Sequence, residues 1–332
     1  MALPQHQSIQ MALRNLSALW LMALLVSWLA APQTARAEDA RLRASIKEDR
    51  FITYTPRSFS VTGGRITPAT HTGIKEDLAI LRPNFEGVIT YSSTNGVEKV
   101  VEVAEKLHYR SVIMGIWDPS SATEVNNVIQ AFRQYPQIVI AVVVGNEGIF
   151  TKRYTMGRVQ QTMQRLKKEV PALAMATSEP FHLYFSPELS SFFRSHDLLM
   201  PNIHPVFENW FKPEEPEGGV AMVLNVTEKF KAEYTLPLLI KETGIPSGEG
   251  AKGYSPARQA RFWTELDRRF PVSQLQSFAY FEAFDAPWKP ALMATEFPGD
   301  HANESHWGIF TAAGTAKEVV RHLSPRPATN SR

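Results

Sequence analysis

Two glutamates sit where strongly apolar runs turn polar: Glu147 at the end of IVIAVVVGNE and Glu242 within LPLLIKETGIPS. A β-branched, aliphatic run reads as a buried strand, so the first carboxylate after it falls where the strand leaves the core and meets solvent. Carboxylates at the C-terminal ends of two strands of one parallel barrel can face each other across a sugar, one as acid and one as nucleophile at a glycosidic bond. Glu147 would protonate the leaving oxygen and then act as base, with the preceding Asn146 gripping a sugar hydroxyl. Glu242 must stay ionised to attack, which Lys241 or Lys289 favours if either faces it. On a regular strand, however, Lys241 and Glu242 point to opposite faces, and Glu242 then merely pairs with another basic residue.

Further residues suit a sugar subsite. The segment SFAYFEAFDAPWK at 277–289 mixes aromatic rings with Glu282, Asp285 and Lys289, a composition unsuited to a dry core. Ring faces such as that of Trp288 stack on pyranose C–H surfaces, and the charged groups bond hydroxyls. Trp117, Trp210 and Trp307 are candidates for the same task. His204, in PNIH, is the histidine expected to face the site and orient a carboxylate. His71, His182, His204 and His306 show no short metal-ligand spacing, so no metal is expected. No G-x-S-x-G elbow supports serine catalysis.

The elements that must position these residues alternate. Apolar runs at 51–55, 87–91, 111–117, 138–145, 172–177, 198–204, 236–242 and 276–284 read as strands. Between them, spacings such as Val97, Val100, Val101, Ala104 and Leu107 paint one face of a helix, and Pro136, Pro171, Pro237 and Pro271 follow four such patterns. Continuous apolar strands with helical crossovers imply a parallel sheet covered by helices, and eight units favour a (β/α)8 TIM barrel of the α/β class. A dinucleotide-binding sheet is disfavoured, since no G-x-G-x-x-G opens a helix after the first strand. Two long connections, 205–219 and 285–308, follow strands and should border the catalytic face.

Residues 1–37 resemble an export signal: Arg14 precedes an apolar run over 16–31, and Ala35-Arg36-Ala37 offers a cleavage site, with an uncleaved anchor as the alternative. The barrel is assigned to 38–323, and the Pro-, Ser- and Arg-containing stretch 324–332 to a disordered tail. Removing 1–37 takes two arginines and no acids from 35 basic and 33 acidic residues, leaving a balanced domain. Such a balance lacks the basic footprint of a nucleic-acid binder and suits a neutral partner. With no cysteine the chain has no disulfide or thiolate chemistry, so its core alone must hold it.

Taken together, these residues resemble glycoside hydrolase family 17, the retaining β-1,3-glucanases and β-1,3-glucan transglycosylases. The resemblance runs from about Phe51 to Leu323 and is carried by VVVGNE and KETGIPS. It is supported by ITYTP with Tyr54, VITYSS with Tyr91, MPNIHP with Asn202, FDAPWK and ESHWGIF, all in family order. It implies Glu147 as acid/base, Glu242 as nucleophile, no cofactor, a β-glucan substrate, and a monomer with no protein partner. Ile245, His204 and Ala286 depart from the family pattern near the sugar, which bears on subsite preference. Hydrolysis and glycosyl transfer use the same residues. A non-catalytic glucan binder and a related retaining glycosidase with another polysaccharide substrate are the alternatives.

Overall fold

The computed structural model describes residues 38–248, 253–296 and 299–323, so the export signal expected at 1–37 and the tail expected at 324–332 lie outside the described residues. In chain order the strands are β1 Phe51–Thr53, β2 Ser60–Thr62, β3 Arg65–Thr67, β4 Gly87–Ile89, β5 Ser111–Ile116, β6 Val139–Asn146, β7 Ala174–Ser178, β8 Leu238–Ile240 and β9 Gln276–Tyr280. β2 and β3 form a separate antiparallel hairpin. The other seven make one parallel sheet in the order β7-β6-β5-β4-β1-β9-β8. The helices are α1 (38–48), α2 His71–Leu81, α3 Val100–Lys106, α4 Ala122–Gln134, α5 Met156–Glu169, α6 Pro187–Arg194, α7 Pro216–Glu233, α8 Pro256–Arg269, α9 Lys289–Glu296 and α10 Glu318–His322.

The strand period of two divides the apolar residues between two cores. Phe51, Ile89, Ile113, Ala141, Ala176 and Ala279 pack together on the concave face, where α1 adds Leu42 and Ile46. Ile52, Val88, Val112, Val142, Met175 and Tyr280 face the helices instead. Bulk inside is limited: a side-chain carbon on Gly87 would lie 2.4 Å from the Phe51 ring. α1 sits at the start of the strands, where Ser111 Oγ hydrogen-bonds Ser45 Oγ at 3.0 Å and Asp49 Oδ2 at 2.5 Å. The opposite end is therefore left for chemistry.

The expected sixth strand, 198–204, is the main correction. It forms only isolated parallel bridges, Leu199 to Leu238, Asn202 to Glu242 and Pro180 to Asn202. Pro201 has no N–H and restricts the residue before it, so the ladder breaks in the middle. Even so, 198–204 contacts both sheet edges: Leu199 N–H donates to Pro237 O at 2.8 Å, and Asn202 N–H to Glu179 O at 3.0 Å. Other strands are shorter than their apolar runs, with 236–242 narrowing to β8 and 276–284 to β9.

α8 supports the loop after Glu242 from outside. Ser255 caps it by accepting from Arg258 N, and Pro256 occupies its first turn, where no N–H is needed. Its Trp263 is buried and stacks on Tyr280 with ring centroids 4.4 Å apart. Gly244 has φ +139°, and a side-chain carbon there would meet Trp263 at 2.8 Å, so the loop after Glu242 needs glycine at this point. Trp263→Ala should cost about 3–5 kcal/mol of stability. Urea unfolding followed by circular dichroism checks this, and a loss under about 1 kcal/mol would contradict the packing role.

Candidate active site

The concave core ends in polar side chains at the C-terminal ends of the strands. β6 runs into Gly145 at φ +88° and Glu147 at φ +53°, so the chain leaves the sheet in a sharp turn. Glu147 stays tied to the next strand by its N–H, which donates to Ser178 O at 2.8 Å. From the following segment Asn202 Nδ2 donates to Glu147 Oε1 at 2.8 Å and to Asn146 Oδ1 at 3.3 Å. The same Asn146 oxygen accepts from Lys241 Nζ at 2.7 Å, and Lys241 Nζ also donates to Glu242 Oε1 at 2.8 Å. Glu147 and Glu242 thus lie at the two ends of one chain of hydrogen bonds through Asn202, Asn146 and Lys241. Lys241 and Glu242 share a side because β8 ends at Ile240 and strict alternation stops there.

The two carboxylates experience opposite electrostatics. Burial pushes Glu147 above the ordinary carboxylate range, and the negative charge of Glu242 adds to the push. Burial would raise Glu242 too, but the charges and hydrogen bonds of Lys241 and His204 outweigh it and hold Glu242 well below that range. His204 Nε2 lies 3.3 Å from Glu242 Oε2, and its ring is bordered edge-on by Phe207, Phe281 and Trp307. One group therefore keeps a proton that the other gives up, which suits an acid beside a nucleophile.

The remaining predicted residues divide. Tyr91 holds its ring 4.0 Å from Lys241 Nζ, and burial, followed by Glu242 and Glu282, pushes its hydroxyl well above the usual tyrosine range. Glu282 is buried and bonded by Lys289, whose Nζ lies 5.1 Å from the centre of the Phe281 ring. Trp117 is 41% exposed, with the Arg153 guanidinium 4.0 Å from its ring centre. Tyr54 is a correction: counting from inward Phe51 it faces outward, where it is fully buried and its hydroxyl donates to Asp77 Oδ2 at 2.9 Å. Asp285 accepts from Lys317 Nζ at 2.6 Å and Gly308 N at 3.1 Å, and Trp288 meets Phe59 edge-on. Both line a recess with Arg57 and Phe284, whose lining includes neither Glu147 nor Glu242. Trp307 is buried with its indole N–H on Glu304, whereas Trp210 is exposed on the loop after His204. No group of three or more metal-ligating side chains occurs among the described residues.

Residues 52–308 match the model of the BtgE/BtgC glycoside hydrolase domain. The chain belongs to this family. It is 23% identical over 251 residues to a glucan 1,3-β-glucosidase of Arthroderma benhamiae, covering 72% of this chain and 80% of that one. Its fold is similar to a Rhizomucor miehei β-1,3-glucanosyltransferase active-site mutant in complex with laminaritriose, at TM-score 0.60 and 17% identity over 83% of this chain and 97% of that one. An endo-laminarinase from Formosa gives TM-score 0.63 at 19% identity, over 82% and 85% of the two chains. As a BtgE/BtgC-type glycoside hydrolase, the chain is an enzyme.

Two buried glutamates supporting this hydrolase site escaped the sequence reading. Glu124 accepts from the N–H groups of Ser93 at 3.1 Å and Trp117 at 2.8 Å, holding the loops that carry Tyr91 and Trp117. Glu179 accepts from Ile149 N at 3.0 Å and Phe150 N at 3.1 Å, clamping the turn behind Glu147. Burial, with the nearby Glu147 charge adding to it, raises its carboxyl to about 7 against the opposing pull of the two backbone bonds. A signal was present, since Glu179 is the first carboxylate after the expected strand at 172–177. Glu179→Gln loses one of the two acceptor oxygens and should displace the turn. We expect kcat to fall about 10²-fold with KM within about threefold. Steady-state kinetics on a β-1,3-gluco-oligosaccharide check it, and an unchanged kcat would contradict the clamp.

Proposed function

We propose that the chain is a family 17 glycoside hydrolase or transglycosylase acting on β-1,3-glucan with retention of anomeric configuration. The observation that carries this reading is the hydrogen-bonded path joining Glu147 to Glu242 with opposite displacements of their proton affinities. Glu242 attacks the anomeric carbon while Glu147 gives its proton to the departing glycosidic oxygen, so the C–O bond breaks as a glycosyl ester forms. Glu147 then takes a proton from water or a sugar hydroxyl, whose oxygen displaces the Glu242 carboxylate. Asn146 and Asn202 orient the sugar and the acid, Tyr91 and His204 border the nucleophile, and Trp117, Glu282 and Lys289 extend the cleft.

The substrate class is supported by the relatives, which are glucan 1,3-β-glucosidase and β-1,3-glucanosyltransferase enzymes. We read the curled sheet with segment 198–204 as a closed (β/α)8 barrel, because that segment bonds both edges. The apolar leader within 1–37 supports export.

Glu242→Gln should abolish nearly all turnover, about 10⁴-fold or more, while leaving oligosaccharide binding largely intact. Proton NMR of the first product anomers should show retention, and inversion would overturn the double-displacement reading. Product chains longer than the substrate would assign transfer, and only shorter ones hydrolysis. In kcat/KM against pH, activity should rise at a pH below the ordinary carboxylate range as Glu242 ionises. It should fall above that range as Glu147 loses its proton. A rising limb above the falling limb's expected position would contradict the assigned roles.

A further inference from the structure

The Lys241 side chain is buried, with 1% of its surface exposed. Burying an ammonium is costly, and a residue serving stability alone would be apolar here. Its three donors have defined directions. Two reach Asn146 Oδ1 at 2.7 Å and Glu242 Oε1 at 2.8 Å, and the Nζ stands 4.0 Å from the centre of the Tyr91 ring. Asn146 Oδ1 accepts from both Lys241 and Asn202, which fills its two lone pairs. Asn202 has no alternative use for that N–H, because its Oδ1 accepts from Ser178 Oγ at 2.9 Å and its other N–H serves Glu147. The Asn146 amide is thus left with only its N–H2 group to offer.

We propose that Lys241 is a positioning residue for glycosyl transfer, locking the Asn146 amide so that it presents a donor to an oxygen of the reacting sugar, and holding Glu242 beside it. This rests on the reading of Glu147 and Glu242 as the reacting pair. It requires a sugar whose hydroxyl oxygen next to the anomeric carbon accepts a hydrogen bond, and it disfavours a 2-ammonium sugar, which brings donors to a donor. The charged and titratable groups around Glu242 are Lys241 on its own segment, Glu147 beyond β6, His204 from 198–204, Tyr91 beyond β4, and Glu282 with Lys289 beyond β9. Of these, Lys241 alone hydrogen-bonds both Asn146 and Glu242.

The chain contains no cysteine, so K241C in the full chain carries a single thiol. Alkylation with 2-bromoethylamine in denaturant, then refolding, converts that thiol to a lysine-like ammonium at this position only. Wild type taken through the same cycle is the control. We expect K241C to lose about 10²-fold in kcat/KM on a β-1,3-gluco-oligosaccharide, with the acid limb of the pH profile displaced upward. Aminoethylation should restore at least about tenfold and return the limb, whereas K241R should not. The proposal is overturned if K241C stays within about threefold of wild type with its limb unmoved. It is equally overturned if the aminoethylated protein refolds by circular dichroism but regains nothing. Should K241C fail to refold, K241M produced directly is held to the same limb comparison. E242Q separates the two levels: turnover in E242Q sinks the reacting-pair reading, while an inactive E242Q beside an unaffected K241C or K241M sinks only the role of Lys241.

Discussion

Asn202 is the joint on which the site depends. It is 2% exposed, and its side chain accepts from Ser178 while donating to Asn146 and Glu147. Its backbone bridges Pro180 on one side and Glu242 on the other. One residue therefore fixes the ends of β6 and β7 relative to the end of β8, which sets how the two carboxylates stand. An amide suits this position because it offers donors on one atom and an acceptor on another without carrying charge. A substitution here would leave several buried polar groups unpaired, each costing about 1–3 kcal/mol.

The cluster around Asn202 is polar and buried, a combination that needs near-complete pairing. Supporting residues meet that need from outside the Glu147 and Glu242 pair. Glu179 and Glu124 occupy backbone N–H groups of the loops behind Glu147 and Trp117. Gln259 on α8 donates to Ile245 O and Trp307 O, both at 3.1 Å, joining the loop after Glu242 to the loop after α9. Lys317 joins Ser247 to Asp285 in the same region. Rigid strand ends and paired loops hold fixed dipoles at the site before a substrate arrives, which is the form in which electrostatic stabilisation is most effective. Exposed rings on the rim, among them Phe207, Trp210 and Trp117, lie outside this paired shell.

Much of this was legible from the residues. Glu147 and Glu242 were readable because long apolar runs ended in a carboxylate, and the helical faces of α4, α5, α7 and α8 were readable from their periodicity. Segment 198–204 was misread as a regular strand because its composition is apolar, while Pro201 breaks the hydrogen-bond ladder. Tyr54 was misplaced because its motif was weighed without counting faces from Phe51, which turns it toward Asp77. Lys241 was left ambiguous since alternation predicts that it opposes Glu242, and only the end of β8 at Ile240 frees it to turn back. Glu179 obeyed the same strand-end pattern as Glu147 and Glu242 but serves the backbone, a distinction that spacing does not carry. Asp285 and Trp288 line a recess with Arg57 and Phe284, a grouping of residues distant in sequence that spacing does not carry.

The central claim is that one surrounding structure holds Glu147 protonated and Glu242 ionised. Carboxyl carbon-13 NMR of glutamate-labelled protein, titrated with pH and assigned with E147Q and E242Q, measures this directly. Glu147 should take up its proton above the ordinary carboxylate range as pH falls, while Glu242 stays ionised to well below it. Glu242 protonating before Glu147, or both titrating at the ordinary carboxylate value, would contradict the claim.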